Sequence, residues 1–122
     1  MISLKSSSAA EIGIDFEWSA SEQVWPFEKT SAGETLYCKE IAVASYPNNG
    51  FLAVAHNISG FDDTDLFSLD LVGARTATDA IDATYYDGGT YIGKRVATSN
   101  MYIHTSHDFT QMSGHFRIIY KK

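Results

Sequence analysis

The sequence predicts an all-β domain built from about eight short antiparallel strands, in a sandwich or a barrel. Of its 122 residues, 13% are aromatic, including seven Tyr and seven Phe. Aromatic side chains pack well on a pleated surface and favour strands. Short apolar runs are separated at even spacing by turn residues, as in sandwiches and barrels. Only Arg75–Asp82 could coil as a helix, and a chain of this length holds one domain.

The first half of the chain contains four candidate strands. Gln23–Phe27 is a short apolar run whose Pro26 lacks an N–H group, so it belongs at a sheet edge or a bend. Glu34–Ser45 places Tyr37, Ile41 and Val43 on one face, interrupted by Lys39. Phe51–Asn57 follows, and Asp65–Gly73 alternates Phe67, Leu69 and Leu71 with polar residues, which predicts a half-buried strand.

Turn residues connect these segments and continue through the second half. Tyr46–Gly50 ends in Asn49-Gly50, which tolerates positive φ, so we expect a hairpin between Glu34–Ser45 and Phe51–Asn57. Asp87-Gly88-Gly89 predicts a second reversal. The remaining candidate strands are Ile81–Tyr86, Tyr91–Thr98, Met101–His107 and His115–Lys122, and the last places Phe116, Ile118 and Tyr120 on one face.

Residues 1–21 form a lead-in segment ahead of the sandwich domain at 22–122. Glu11–Trp18 alternates apolar and polar residues only briefly, which fits either an edge strand or an arm that docks on a partner. Tryptophans in such a segment commonly anchor an interface or a core. The candidate subunit-docking residues are Ile14, Phe16, Trp18 and Trp25.

Charge and composition argue against several classes of protein. Nine basic and fifteen acidic residues give a net charge of −6, which repels nucleic acid. No run of 18 apolar residues predicts a membrane span, and Met1–Ser8 lacks the apolar core of a signal peptide. The single Cys38 cannot form an internal disulfide. We therefore expect a protein that folds in a cytoplasm, without membrane insertion.

The residues that could carry catalysis or bind a metal form no convincing set, so we expect no enzyme, cofactor or metal. His104 and His107 are three residues apart and would point to opposite faces of one strand. His107 and His115 could meet across a hairpin with Asp108, but zinc usually takes at least three protein ligands. His56 is better explained as a packed ring bonded to turn backbone than as a pH-sensitive group.

The candidate ligand-contact residues surround the second reversal. They are Asp82, Tyr85, Tyr86 and Tyr91. Tyrosine rings can stack on the apolar faces of sugars while a carboxylate accepts hydroxyl donors, so these residues could form a sugar or peptide surface. The alternative is that alternating tyrosines simply pack within a hairpin. Cys38 has no activating base nearby in sequence and is expected to be a buried or near-surface structural residue.

Several short motifs resemble the tail-associated structural domains of bacteriophages and prophages. The resemblance runs over most of the chain after Ser21 and is strongest from Gly33 to Phe61. Such domains carry a Gly-x-x-Leu-Tyr-x-Lys strand, a Leu-Pro-Asn turn, a Val-Ala-His-Gly-Ile strand end and a closing Tyr-x-Lys strand. The matching residues here are Leu36, Tyr37, Lys39, Pro47, Asn48, Val54, Ala55, His56, Ile58, Ile119, Tyr120 and Lys121. Two departures are Asn57 in place of glycine and the absence of a proline-rich loop from 76 to 100.

The resemblance implies a jelly-roll β-sandwich, a homotrimer, in a virion assembled in a bacterial host. The leading hypothesis is a tail-fibre or receptor-binding tip that contacts host-surface glycan, with three sites gaining avidity together. A second hypothesis is a non-catalytic adaptor or decoration protein whose lead-in segment docks on other virion proteins. A third is a free-standing carbohydrate-binding module.

Overall fold

A computed structural model describes residues 15–75 and 86–122, and this part of the chain is an all-β sandwich. A 3₁₀ turn at Asp63–Asp65 is the one helical element among the described residues. The strands are β1 (Gln23–Lys29), β2 (Thr35–Val43), β3 (Phe51–Ala55), β4 (Leu66–Arg75), β5 (Tyr86–Asp87), β6 (Thr90–Val96), β7 (Asn100–Thr105) and β8 (Ser113–Lys121). The predicted fold class is confirmed.

The strands form two antiparallel sheets that pack face to face. The first sheet has the order β1-β2-β8-β4, and the second has the order β3-β7-β6-β5, in which β5 contributes only two residues. The chain crosses between sheets from β2 to β3 to β4, as in a jelly roll. It then departs from that pattern, because β6 and β7 are consecutive neighbours in the second sheet.

The predicted hairpin between β2 and β3 is wrong. Both neighbours of β2 lie in the first sheet, β1 on one side and β8 on the other, whereas β3 pairs with β7. The turn residues themselves behave as expected, since Asn49 has φ of 47°. Tyr46 is 1% exposed and its N–H donates to the carbonyl oxygen of Met112 at 3.0 Å, which directs the chain across the core instead of back along β2.

The core lies between the two sheets and is lined by alternate residues of each strand. Phe116, Ile118 and Tyr120 of β8 share one face, as the alternation predicted, and all three are fully buried. Met101 and Ile103 of β7 face them from the second sheet. Because side chains alternate along a strand, the residues between these positions point to the outer faces of the sandwich.

Phe67 departs from the predicted alternation of β4. Leu69 and Leu71 contact the core as expected, but Phe67 is 45% exposed and Leu66 packs inward in its place. The register of β4 against β8 shifts between Leu66 and Ser68. A β-bulge inserts one extra residue into a strand, so the residues before it point to the opposite face from the one that strict alternation predicts, and this explains why the ring of Phe67 is exposed.

His56 closes the end of β3 with hydrogen bonds to turn backbone, as predicted. The N–H of Ile58 donates to Nδ1 at 3.1 Å, so the ring proton lies on Nε2, which donates to the carbonyl oxygen of Ala97 at 3.0 Å. Lys39, the charged residue on the inner face of β2, donates to the carbonyl oxygen of His56 at 2.9 Å. Asn57 adopts φ of 53°, a region where asparagine is one of the few tolerated substitutes for glycine.

Candidate functional site

The outer face of the second sheet carries a group of aromatic and basic residues, of which Phe51 and Arg95 are exposed and the others are half-buried. Leu52 and Val54 of β3, and Ile92 of β6, contact the core, so the intervening residues face outward. The outward residues of the three long strands align in register across the sheet. We call six of them the aromatic face: Phe51, Tyr91, Gly93, Arg95, Tyr102 and His104.

The centre of the aromatic face is a stacked pair of rings. Phe51 is opposite His104 in register, and their rings lie 4.3 Å apart between centroids with an interplanar angle of 11°. Phe51 is 64% exposed, although it occupies a strand. Tyr91 meets the same imidazole edge-on at 5.3 Å, and its hydroxyl lies 3.4 Å from Nδ1 of His104. His104 is therefore held between two aromatic rings.

A shallow groove of about 180 Å³ opens beside this stack. It is lined by Phe51, Gly93, Lys94, Arg95, Tyr102 and His104. Gly93 pairs with His104, and a Cβ atom placed on it would meet only the carbonyl oxygen of His104, at 3.8 Å. Because that distance is an ordinary contact, a side chain fits the backbone there. The glycine therefore leaves open the space above the strand.

The groove is bounded on one side by a stacked arginine. The guanidinium carbon of Arg95 lies 4.1 Å from the centroid of the Tyr102 ring, within the range of a cation–π contact. Arg95 is opposite Tyr102 in register, one row along the sheet from Gly93 and His104. The site thus combines apolar ring faces with hydrogen-bond donors, a combination suited to binding a ligand.

The structure places part of the predicted ligand-contact set near this face. The tight turn at Gly88-Gly89 is confirmed, with φ of 56° and 94°, and Tyr86 lies opposite Tyr91 in register. Tyr91 contacts His104. Asp82 and Tyr85 lie outside the described residues, and for Tyr86 the description covers only the backbone.

The predicted docking residues come together on the opposite side of the molecule. Phe16, Trp18, Trp25 and Phe27 form the lead-in cluster, with edge-on ring contacts from Phe16 to the other three at 5.3–5.6 Å. The cluster covers Leu36, Cys38 and Ile119 on the outer face of the first sheet. The carbonyl oxygen of Ser19 accepts from the N–H of Glu40, so the lead-in extends the sheet edge at this point. Ile14 lies outside the described residues.

A cavity of about 430 Å³ borders the lead-in cluster. It is lined by Phe16, Glu17, Trp18, Trp25, Phe27, Glu40 and Arg117. Nε of Arg117 donates to a Glu40 carboxylate oxygen at 2.8 Å, and its guanidinium carbon lies 5.0 Å from the Trp18 ring centroid. The charges lining this cavity thus include an internal ion pair.

The structure also shows the local environments of the other candidate reactive residues, Cys38, His107 and Asp108. Cys38 is fully buried, and burial raises the pKa of its thiol to about 11, which suppresses the thiolate. His107 Nδ1 lies 2.9 Å from the Ser106 hydroxyl. Asp108 accepts from the side chain and N–H of Thr110, and these bonds lower the pKa of its carboxyl. Within 15–75 and 86–122, no three His, Cys, Asp or Glu side chains group as metal ligands would.

Sequence reasoning missed most of the aromatic face. Phe51 and Tyr102 were treated only as strand residues, and Arg95 was not singled out. The available signal was the period-2 pattern: Leu52 and Val54 assign Phe51 to the outer face, where a large aromatic residue is unexpected. The sequence could not predict that β3, β7 and β6 lie in one sheet, because this depends on pairing between segments that are distant in the chain.

Comparison with models of known protein families, with curated proteins and with solved structures finds no match to this chain. Among the described residues, no helix has the length and apolar character needed to cross a bilayer.

Proposed function

We propose that this chain is a non-catalytic receptor-binding domain of a phage tail appendage, and that its aromatic face binds host-surface glycan. The observation that carries the proposal is the Phe51–His104 stack beside an open groove. A sugar ring presents apolar C–H faces and hydroxyl edges, so it pairs with an exposed aromatic face flanked by polar donors. Phe51, which is 64% exposed, is part of the contiguous aromatic face, and it is contiguous apolar patches that mark interaction sites.

The virion context and the homotrimer rest on the resemblance of the sequence motifs to phage tail domains. A trimer suits shallow sites, because three weak contacts on one rigid particle bind far more tightly than one. Each 13.4 kDa chain would contribute one aromatic face. Light scattering of the purified protein tests the assembly: a mass three times that of the chain is expected, and a monomer would contradict the trimer.

Two substitutions test the glycan site against a matched control. Phe51→Ala removes the stacking ring, and Phe67→Ala removes another exposed phenylalanine from β4 of the other sheet. Binding to a glycan array and adsorption to host cells should fall at least tenfold for Phe51→Ala and remain unchanged for Phe67→Ala, because burying a phenylalanine ring contributes about 1.5–3 kcal/mol and about 1.4 kcal/mol is tenfold in affinity. Equal binding by both variants would contradict the proposal.

Gly93→Val provides an independent test that leaves the rings in place. Valine suits a strand better than glycine, and its Cβ fits the backbone, so the fold should keep its stability. The added side chain would occupy the groove and weaken glycan binding. A variant that melts like the parent yet binds glycan equally well would show that the groove is not the binding surface.

A second function, an adaptor that docks on other virion proteins, is favoured by the cavity beside the lead-in cluster. Deleting residues 1–21 is a poor test, because Phe16 and Trp18 cover the chain's own Cys38 and Ile119. A sharper test is Glu17→Lys at the cavity rim, compared with Lys29→Glu on β1, in an assay of incorporation into particles. Loss of incorporation for Glu17→Lys alone would favour the adaptor.

A further inference from the structure

The three long strands of the second sheet carry no acidic residue, although the protein is acidic as a whole. The chain has fifteen acidic residues against nine basic ones. By contrast, β3, β6 and β7 contain no Asp or Glu, and Arg95 lies on the outward side of β6, whereas Lys94 lies on the same side as the core residue Ile92. An anionic ligand is repelled by the net charge of −6 but meets positive charge at the aromatic face. The local charge therefore selects among the glycans that the face could bind.

Two arginines in the structure stack on aromatic rings, and they differ in one respect. Arg117 lies over Trp18 and also donates to Glu40. Arg95 lies over Tyr102 and has no acidic partner within the described part of the chain. Stacking occupies the flat face of a guanidinium and leaves the N–H groups at its edge free for a carboxylate. The N–H groups of Arg95 are therefore available to a carboxylate of a ligand.

The position of Arg95 fits a sugar that rests in the groove. Arg95 and Tyr102 form the row next to Gly93 and His104. Residues on one face of a strand are about 6.5–7 Å apart along it, which is close to the distance from the centre of a pyranose to an exocyclic group and its partner. A ring that rests in the groove over Gly93 can therefore direct a carboxylate on its exocyclic carbon toward Arg95, the next residue on the same face of β6.

We infer that the ligand is an acidic saccharide, bearing a uronate or sialate carboxylate that pairs with Arg95 while its ring packs against the aromatic face. This inference rests on the proposed glycan-binding function and names its ligand class. Tyr102 holds the guanidinium in place, so the arginine loses less conformational freedom on binding than an unsupported side chain would.

The test uses a panel of uronate- and sialate-containing oligosaccharides, each beside its carboxyl-reduced neutral form and a phosphorylated neutral oligosaccharide. The full-length protein and two variants are titrated by calorimetry. Arg95→Ala removes the proposed contact, and Lys29→Ala removes one positive charge from β1, away from the site. Circular dichroism and thermal melts establish that both variants fold.

The parent should bind at least one carboxylated sugar about tenfold or more tightly than its reduced form, which is the scale of a charge-assisted hydrogen bond. Arg95→Ala should abolish that difference and Lys29→Ala should keep it. Equal binding of both forms, or preference for the phosphorylated sugar, would overturn the inference and leave glycan binding intact. Binding to no saccharide would overturn the proposed function itself.

Discussion

Two buried tyrosines differ in whether their hydroxyl is hydrogen-bonded, so replacing each with phenylalanine should change stability in opposite directions. Tyr46 and Tyr120 are 1% and 0% exposed and belong to the same core. The hydroxyl of Tyr120 donates to a carboxylate oxygen of Glu22, whereas the hydroxyl of Tyr46 has no hydrogen-bond partner among the residues that the structure describes. Replacing each with phenylalanine removes a hydroxyl and leaves the ring. We expect Tyr46→Phe to stabilise the protein and Tyr120→Phe to destabilise it.

The magnitudes follow from the state of each hydroxyl. Burying a hydroxyl without a partner costs about 1–3 kcal/mol, so Tyr46→Phe should recover about 1 kcal/mol. A hydrogen bond to a charged group contributes about 1.5–3 kcal/mol, and the exposed position of Glu22 puts Tyr120→Phe near 1.5 kcal/mol of loss. The two variants should therefore differ in free energy of unfolding by about 2.5 kcal/mol.

Urea denaturation at pH 7, followed by tryptophan fluorescence, measures this difference. With an m-value of about 1.5 kcal/mol/M, the two midpoints should lie about 1.7 M apart, on either side of the parent. Unchanged m-values would show that the same surface is exposed on unfolding. Destabilisation of Tyr46→Phe by as much as Tyr120→Phe would refute the reasoning, because it would mean that both hydroxyls are bonded.

Measuring unfolding at acidic pH provides a second test of the Tyr46→Phe and Tyr120→Phe variants. Burial acts to raise the pKa of Glu22, but the hydrogen bonds from Tyr120 and Lys122 outweigh it and lower the pKa below 4.5. A lowered pKa contributes stability above the unfolded-state value, and that stability is lost as the pH falls through the folded-state pKa. The cost of Tyr120→Phe should therefore shrink when unfolding is measured near pH 3, whereas the gain from Tyr46→Phe should persist.

Three other predictions concern the remaining buried groups. His56→Ala leaves the N–H of Ile58 and the carbonyl oxygen of Ala97 without partners, so the free energy of unfolding should fall by about 2–4 kcal/mol in urea; a loss under 1 kcal/mol would show that water replaces both bonds. Burial raises the pKa of Cys38 to about 11 from 9.0, so its stabilising contribution is complete below pH 9 and is lost as the pH rises toward 11; flat stability across pH 8–11 would contradict this. Phe16→Ala should expose Cys38 and raise its rate of labelling by a thiol reagent at pH 8, while Phe67→Ala should not; equal rates would mean that Phe16 does not shield the thiol.

The strand positions were largely readable from the sequence because the period-2 pattern and the turn residues are local. Alternation alone placed Phe116, Ile118 and Tyr120 on one face of a strand, and the structure shows that this face is buried. The pattern failed at Phe67, where one inserted residue reverses the face that each side chain takes. Alternation carries no warning of a bulge when the extra residue is itself apolar.

The pairing of strands was less predictable than their positions. Asn49-Gly50 indicated a reversal of the chain, and a reversal between two apolar runs normally gives a hairpin. In the structure, β3 does not pair with β2, because one edge of β2 is hydrogen-bonded to β1 and the other edge to β8. The candidate site depends on the same long-range pairing, since Phe51, His104 and Gly93 meet only when β3 and β6 both join β7.

The central place of β8 has a consequence for how the protein folds during synthesis. β8 is the last of the described strands, yet it lies between β2 and β4, and its Tyr120 bonds to a residue 98 positions earlier. Until β8 emerges from the ribosome, β2 and β4 each present an unpaired edge that can capture another chain. Such long-range closure is slow. Nascent chains on crowded polysomes are therefore exposed to mispairing until β8 has been synthesised, and the yield of recombinant expression should respond to chaperone supply more than to modest gains in final stability.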